Sequence, residues 1–288
     1  MAKIPDHTGK TLLSVLAHPD DETFGMGGTL ALYAQHGVDV HLVCATRGEV
    51  GEIDPEYKET IKSAACLRTQ ELRCAADILG INHLHFMNYR DSGMPGSEAH
   101  EHPRALAGQP VEQVAREVAH LIREIRPEVV LTFDPIGGYR HPDHIAIQQA
   151  TVRAFELAAD PNFEDPQSLT PFQPEKLYFH TINRGFLKAM VWVLRLIGKD
   201  PRKFGRNEDI DLVALTDVEF PTHVKIDYRP VKETREEATK CHASQGGGQM
   251  NKGFRGFVTR LFGGHNETFM QAFPEPEEEQ RVKRDLFA

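Results

Sequence analysis

The sequence predicts an α/β protein with a mostly parallel sheet flanked by helices, and three observations carry that prediction. Short apolar runs alternate with longer stretches of helical periodicity over roughly residues 1–160. Glycines stand where helical stretches stop, at Gly37 and Gly80. Two dense histidine-aspartate clusters, Ala17-His18-Pro19-Asp20-Asp21-Glu22 and His141-Pro142-Asp143-His144, each follow an apolar run, and the carboxyl ends of strands are where open α/β sheets bind ligands.

Taken in order, Leu12 to Ala17 reads as a buried strand that stops at His18-Pro19, because proline restricts the backbone of the residue before it. Gly25, Gly27 and Gly28 precede a helix-like stretch from Thr29 to Ala34, and Val38 to Ala45 alternates as a strand. This is a β-α-β unit, for which a parallel crossover is expected. Thr46 to Glu52, including Glu49, makes a polar loop on the sheet edge that carries His18. A long helix is expected from about Tyr57 to Leu79, then a strand from His83 to Tyr89 and a turn-rich loop from Arg90 to Gly96. Gln109 to Arg126 shows an apolar helical face, Glu128 to Phe133 a strand, and a further helix starts near Asp143.

The pattern changes at the proline-rich and acidic segment 160–166. Residues 1–160 are therefore expected to form the metal-binding catalytic core. Residues 161–288 would form a smaller α+β part, separate from it or one continuous domain with it, that completes the sheet and shapes the substrate pocket. Lys176 to Ile182 and His223 to Tyr228 read as strands, and Arg229 to Gln245 as a helix. The glycine-rich stretch from Gly246 to Gly264 lacks a phosphate-loop pattern and reads as a surface loop. The tail from Pro274 to Glu279 reads as solvated. Between Arg184 and Arg206 the chain is basic around Ala189-Met190-Val191-Trp192-Val193-Leu194, too short a run to span a bilayer. Packing as a lid or oligomer contact is favoured there over a membrane surface, because tryptophan and methionine stripes are usually buried.

A formal charge of -9 and a pI near 5.9 offer no general attraction to nucleic acid. The short apolar run near the N-terminus does not make a signal peptide, so a cytoplasmic protein is expected. Cys44, Cys66, Cys74 and Cys241 show no C-x-x-C spacing and are expected to be reduced, with Cys66 and Cys74 small buried residues of one helix.

Imidazole and carboxylate together suit zinc, and a catalytic zinc site uses three protein ligands plus water. His18, Asp21 and His144 supply that set, with Asp20 left beside the metal to take a proton from water. The competing reading is that His18 and Asp20 merely cap the following helix. Likewise Arg68 with Glu71 can be a surface ion pair, Asp91 a turn former and Tyr139 ordinary packing. His83, His85, His100, His102 and His265 lack a matching partner pattern and are read as non-ligands, with His265 the nearest to a pocket role.

The motifs AHPDDE at 17–22 and HPDH at 141–144 resemble those of the LmbE-like, or PIG-L, family of zinc-dependent N-acetylglucosaminyl de-N-acetylases, whose fold is a Rossmann-like sheet. Arg68 with Glu71-Leu72, Arg90-Asp91-Ser92-Gly93-Met94 and Asp134-Pro135-Ile136-Gly137-Gly138-Tyr139 extend the likeness toward the mycothiol-pathway branch, over roughly residues 11–155. The resemblance implies that His18, Asp21 and His144 bind zinc and that Asp20 is the general base. It implies that His141 polarises the carbonyl with Asp143 tuning it, that Tyr139 is an oxyanion partner, and that Arg68 and Asp91 hold the sugar or its substituent; Glu49, in the polar loop on the same sheet edge, is expected to meet the substrate as well.

The expected function is removal of acetyl from an N-acetylglucosamine-type conjugate, with Zn2+ as cofactor and Fe2+ or Co2+ as substitutes. A small sugar conjugate is the expected partner, and self-association is expected. Two alternatives are a mycothiol S-conjugate-type amidase and a nucleotide-binding Rossmann module without hydrolysis. The latter is weakened because Gly25-Met26-Gly27-Gly28 departs from G-x-G-x-x-G and lies beside three carboxylates that would repel a pyrophosphate.

Overall fold

The computed structural model describes residues 4–51, 63–205, 208, 210–249, 265–277 and 281–288. Its strands are β1 (Thr11–Leu16), β2 (Asp39–Cys44), β3 (His83–Phe86), β4 (Val129–Phe133), β5 (Lys176–Thr181), β6 (Val224–Asp227) and β7 (Asn266–Phe273). Its α-helical segments are α1 (Asp21–Gln35), α2 (Ala64–Leu79), α3 (Val111–Ile125), α4 (Gly137–Arg140), α5 (Pro142–Ala159), α6 (Arg184–Leu196), α7 (Leu212–Leu215) and α8 (Lys232–Cys241).

Among the described residues, seven strands make one sheet in the order β3-β2-β1-β4-β5-β7-β6. Neighbours from β3 to β5 pair in parallel, and β7 runs antiparallel to both β5 and β6. Strand β1 is apolar apart from Thr11 and Ser14 because helices cover both faces of a parallel sheet, and Leu12, Leu13 and Val15 are fully buried. Strand order reverses at β1, whose neighbours are β2 and β4. A crevice therefore opens past the carboxyl ends of β1 and β4. His18 follows β1 by two residues and His141 follows the loop after β4, so both clusters reach that crevice.

Local chemistry sets the helix ends. The Ser63 side chain accepts from the Cys66 backbone N–H at the start of α2, and Gly80 closes that helix at φ 78°. The first residues of the expected helix, Tyr57 to Lys62, lie outside the described residues. In α1 the glycines run inside the helix rather than before it. Gly28 is there for close approach, since a Cβ on it would sit 2.3 Å from Cγ of Tyr228.

The expected strand at 223–228 and helix at 229–245 form as β6 and α8, each shorter than expected. Strand β7, absent from the sequence reading, lies between β5 and β6 and buries Phe269 completely. The main hydrophobic core draws on both halves of the chain, from Leu12 to Leu286. Helix α6 packs Leu187 and Val191 against Leu212 and Leu215 in a smaller cluster. Helix α6 turns Leu187 and Val191 inward and Trp192 outward, where it is 60% exposed. Arg206 and residues 250–264 lie outside the described residues. Among the described residues no helix is long and apolar enough to cross a membrane.

The cysteine expectation is corrected at one pair. Cys74 on α2 and Cys241 at the end of α8 form a disulfide, with Cα atoms 5.9 Å apart and 167 residues between them in sequence. Cys66 is exposed and Cys44 is the buried thiol. Spacing arguments test only nearby pairs, whereas packing of α8 on α2 brings this pair together.

Candidate metal and catalytic site

The donor atoms of His18, Asp21 and His144 converge. His18 Nδ1 and His144 Nε2 are 3.2 Å apart, Asp21 Oδ1 is 3.2 Å from His144 Nε2, and Asp21 Oδ2 is 3.6 Å from His18 Nδ1. Around a tetrahedral cation with bonds of 2.0–2.2 Å, neighbouring donors stand about 3.4 Å apart, so the set has the right spacing. His141 also presents a ring nitrogen within 4.8 Å of nitrogens of His18 and His144.

The charges fit a cation as well. Asp21, Asp91 and Asp143 surround His18, while Asp20 pairs with Arg68. Burial opposes a charged His18 ring, yet the carboxylates of Asp91, Asp143 and Asp21 outweigh it and raise its pKa well above the usual value. Burial likewise opposes a charged Asp21, but His144 and His18 hold it well below the usual range. Uncompensated buried charge is costly, and a divalent cation at these donors would offset it.

Asp20 stands apart from the donors. Its φ is 121°, a positive value that a non-glycine residue rarely adopts, and its side chain makes no capping bond to α1. The capping alternative therefore fails for Asp20. Its carboxylate lies 3.2 Å from Arg68 Nη2, and the same guanidinium donates to the carbonyl oxygens of Pro19 at 2.7 Å and Gly48 at 3.2 Å. Burial pushes the Asp20 pKa up to about 6, against the pull of Arg68 and with the push of Asp21. Gly48, at φ 64°, admits that guanidinium: a Cβ there would be 2.1 Å from Arg68 Nη1.

His141 begins α5, where its Nδ1 accepts from the Asp143 backbone N–H at 3.2 Å. In the neutral ring the proton is therefore on Nε2. Neutrality is favoured, since burial and the nearby His18 and His144 lower its pKa to about 3. Tyr139 lies edge-on to His144, with ring centroids 5.0 Å apart.

Several expected site residues have partners that the motifs did not indicate. The Asp143 carboxylate accepts from His18 Nε2 at 3.1 Å and from the backbone N–H groups of Ser92 and Ala107, and touches His141 only through its own backbone. It orients His18, leaving Nδ1 free to ligate. Asp91 was expected at the substrate; it is buried 3.5 Å from His18 Nε2 and accepts from the Gly93 backbone N–H. Arg68 is buried too and faces Asp20, while Glu71, its alternative partner, accepts from Ser244. Glu49 accepts from the Asp91 backbone N–H at 3.1 Å. Arg68, Asp91 and Glu49 thus each contact the protein framework around the centre, while Arg68 Nε is buried without a hydrogen-bond partner. His265 stays beside Tyr228, away from the cluster.

Two residues were missed. Glu22 and His242 are both fully buried, with His242 Nε2 2.7 Å from Glu22 Oε1, while Glu22 Oε2 accepts from the Asp20 backbone N–H at 3.0 Å. This pair clamps the strained backbone of Asp20. Glu22 belongs to the first motif and carried a signal; His242, 220 residues away, carried none.

Comparison with known proteins agrees with this geometry. The family model described as GlcNAc-PI de-N-acetylase, PIG-L, matches residues 13–155. A 1D-myo-inositol 2-acetamido-2-deoxy-alpha-D-glucopyranoside deacetylase of Thermobifida fusca is 36% identical over 245 residues, covering 82% of this chain and 83% of that protein. Among solved structures, N,N'-diacetylchitobiose deacetylase of Pyrococcus horikoshii aligns with TM-score 0.64 and 21% identity, over 91% of this chain and 83% of that one. GalB, the 4-carboxy-2-hydroxymuconate hydratase of Pseudomonas putida, aligns with TM-score 0.62 and 19% identity over 94% of this chain and all of its own. These structures share the fold, which serves more than one reaction. The identity to the Thermobifida protein across most of both chains, with both motifs in place, makes this chain a member of the PIG-L family.

Proposed function

We propose that this protein is a metal-dependent hydrolase that removes acetyl from the N-acetylglucosamine group of a small glycoconjugate, an inositol glycoside being the first candidate. The observation that carries the reading is the convergence of two imidazole nitrogens and the Asp21 carboxylate beside a second carboxylate, Asp20, held in a strained backbone. The name of the Thermobifida relative supports the substrate class.

His18, Asp21 and His144 would hold the metal, zinc with iron or cobalt as substitutes. When bound, such a cation polarises the amide carbonyl and acidifies water. Asp20 takes the proton of the attacking water and returns it to the leaving nitrogen. Arg68 holds that carboxylate and Glu22 holds the backbone N–H of the same residue. His141 presents its Nε2–H to the carbonyl oxygen as negative charge develops there, and the Tyr139 hydroxyl is a second donor. Burial raises the Tyr139 pKa, so the phenol keeps its proton for that purpose.

The reading extends to residues 161–288 as the wall of the substrate pocket. A cavity lined by Asp134, Gly138, Thr181, Asn183, Arg184 and Thr268 adjoins the loop that bears Tyr139, which supports this assignment.

The test is amine release from a panel of N-acetylglucosaminides, including glucosaminyl-inositol and phosphatidylinositol forms, by zinc-loaded and chelated enzyme. Release that requires metal is expected from the inositol glycoside. No metal-dependent release from any member overturns the proposal.

A further inference from the structure

At the opposite end of the sheet from the catalytic crevice, four side chains form a second constellation. Asp39 and His41 begin β2 as D-x-H, and His83 and His85 begin β3 as H-x-H. Alternate residues of a strand share a face, and the parallel register sets His41 directly opposite His83. All four therefore rise from one face of two adjacent strands at the sheet edge. Helix α3 faces the same group, since Glu124 acts electrostatically on both His41 and His85.

The spacing is that of a coordination shell. Asp39 Oδ2 lies 3.2 Å from His41 Nε2, and Asp39 Oδ1 lies 3.3 Å from His83 Nε2. One donor atom from each of Asp39, His41 and His83 falls within a common 4.8 Å. These separations match the edge of about 3.4 Å expected around a tetrahedral cation with nitrogen and oxygen ligands. The His41 and His83 rings stack with centroids 4.2 Å apart and planes 18° apart, aiming both Nε2 atoms at the same carboxylate. His41 Nδ1 is 3.1 Å from His85 Nε2. That contact lets His41 Nδ1–H donate to His85 and leaves the Nε2 lone pair for a ligand, which is how an outer imidazole orients a metal-binding one.

We propose that Asp39, His41 and His83 form a second site for a divalent transition cation such as zinc, with His85 orienting His41 and water completing the shell. The donors are half-buried to exposed, with His83 and Asp39 side chains 48% and 45% accessible, so an ion enters without rearrangement of the core. A cation here would pin the edge strand β3 to β2 and occupy the polar face of the sheet edge. The inference stands independently of the catalytic reading.

Zinc titration of the full-length His144→Ala protein, followed by calorimetry and by elemental analysis after dialysis, isolates this site from the catalytic one. A saturable equivalent of zinc is expected, lost on adding Asp39→Asn with His83→Gln and weakened by about tenfold on adding His85→Ala. Cobalt should give d–d absorption that follows the same pattern. In the otherwise native chain, Asp39→Asn with His83→Gln should remove that equivalent while N-deacetylase turnover and the circular dichroism spectrum stay unchanged. Absence of saturable zinc binding by the His144→Ala protein overturns the proposal, as does binding that persists unchanged when Asp39 and His83 are replaced. In either case the four residues are only a hydrogen-bonded surface array.

Discussion

Replacing Arg68 by Met, alone and together with Asp20→Asn, tests whether the general base is held by a buried charge pair. Arg68 is 4% exposed, and its guanidinium gives one contact to Asp20 and two hydrogen bonds to the carbonyls of Pro19 and Gly48. Removing one partner of a buried pair strands the other charge and costs about 3–5 kcal/mol. In the Asp20→Asn background no carboxylate is stranded. Arg68→Met then forfeits chiefly the two carbonyl hydrogen bonds, about 1 kcal/mol each. The coupling between the substitutions is therefore about 2 kcal/mol, well above the few tenths expected of independent sites. Urea unfolding of the chelated native chain, both single variants and the double variant measures it, with equal slopes in denaturant as the check that the unfolded states match. Additivity within about 0.5 kcal/mol would refute the reasoning, since the Arg68–Asp20 contact would then carry no energy of its own.

The split between ligand and base gives a second expectation: His144→Ala should lower catalytic zinc content and turnover together, whereas Asp20→Asn should keep the zinc and lose turnover by orders of magnitude. Full activity in Asp20→Asn refutes the base assignment. Cys241→Ser opens a cross-link that spans 167 residues, and chain entropy puts its stabilisation at up to about 5 kcal/mol; dithiothreitol should lower the thermal midpoint of the native chain and leave that of the variant unmoved. His180 gives the pH prediction. Burial, and secondarily Arg235, push its pKa down from 6.5 to about 4. Between those values the unfolded chain holds a proton that the native chain lacks, so stability rises as pH climbs from about 4 to 6.5 and this group adds no slope above that. His180→Gln should flatten the acid side of the stability curve of the chelated protein; an unchanged slope would show that other groups set it.

Much of the fold follows from periodicity that is local in sequence. The alternation of apolar strands and helical stretches up to about residue 160, the glycine stop at Gly80 and the proline after His18 are each short-range effects, and the elements they imply are present. The two motifs are legible for the same reason. Each packs its histidines and aspartates into a few residues at a strand end, where the chain has no choice but to present them together. Asn266–Phe273 escaped because Asn, Glu, Thr and Gln break its apolar pattern, and its burial comes from lying between β5 and β6. At Trp192, helical periodicity says that an apolar stripe exists but not which neighbour covers it.

The sequence by itself determined which side chains have the chemistry for a metal and a proton, and that both clusters end strands. Tertiary structure alone decided how those side chains divide the work. Asp143 serves His18 rather than His141, Arg68 turns to Asp20 rather than Glu71, and His242 steadies Glu22 under the strained Asp20. These partners lie far apart along the chain, from 48 residues between Arg68 and Asp20 to 220 between Glu22 and His242. Local dihedral preferences and period constrain only a few residues on either side, so such pairs are set by strand order at β1 and β4 and by the packing of α8 on α1 and α2. The same logic separates the two metal constellations. One is written in contiguous motifs, and the other, Asp39 with His41 beside His83 with His85, exists only because β2 and β3 pair in register.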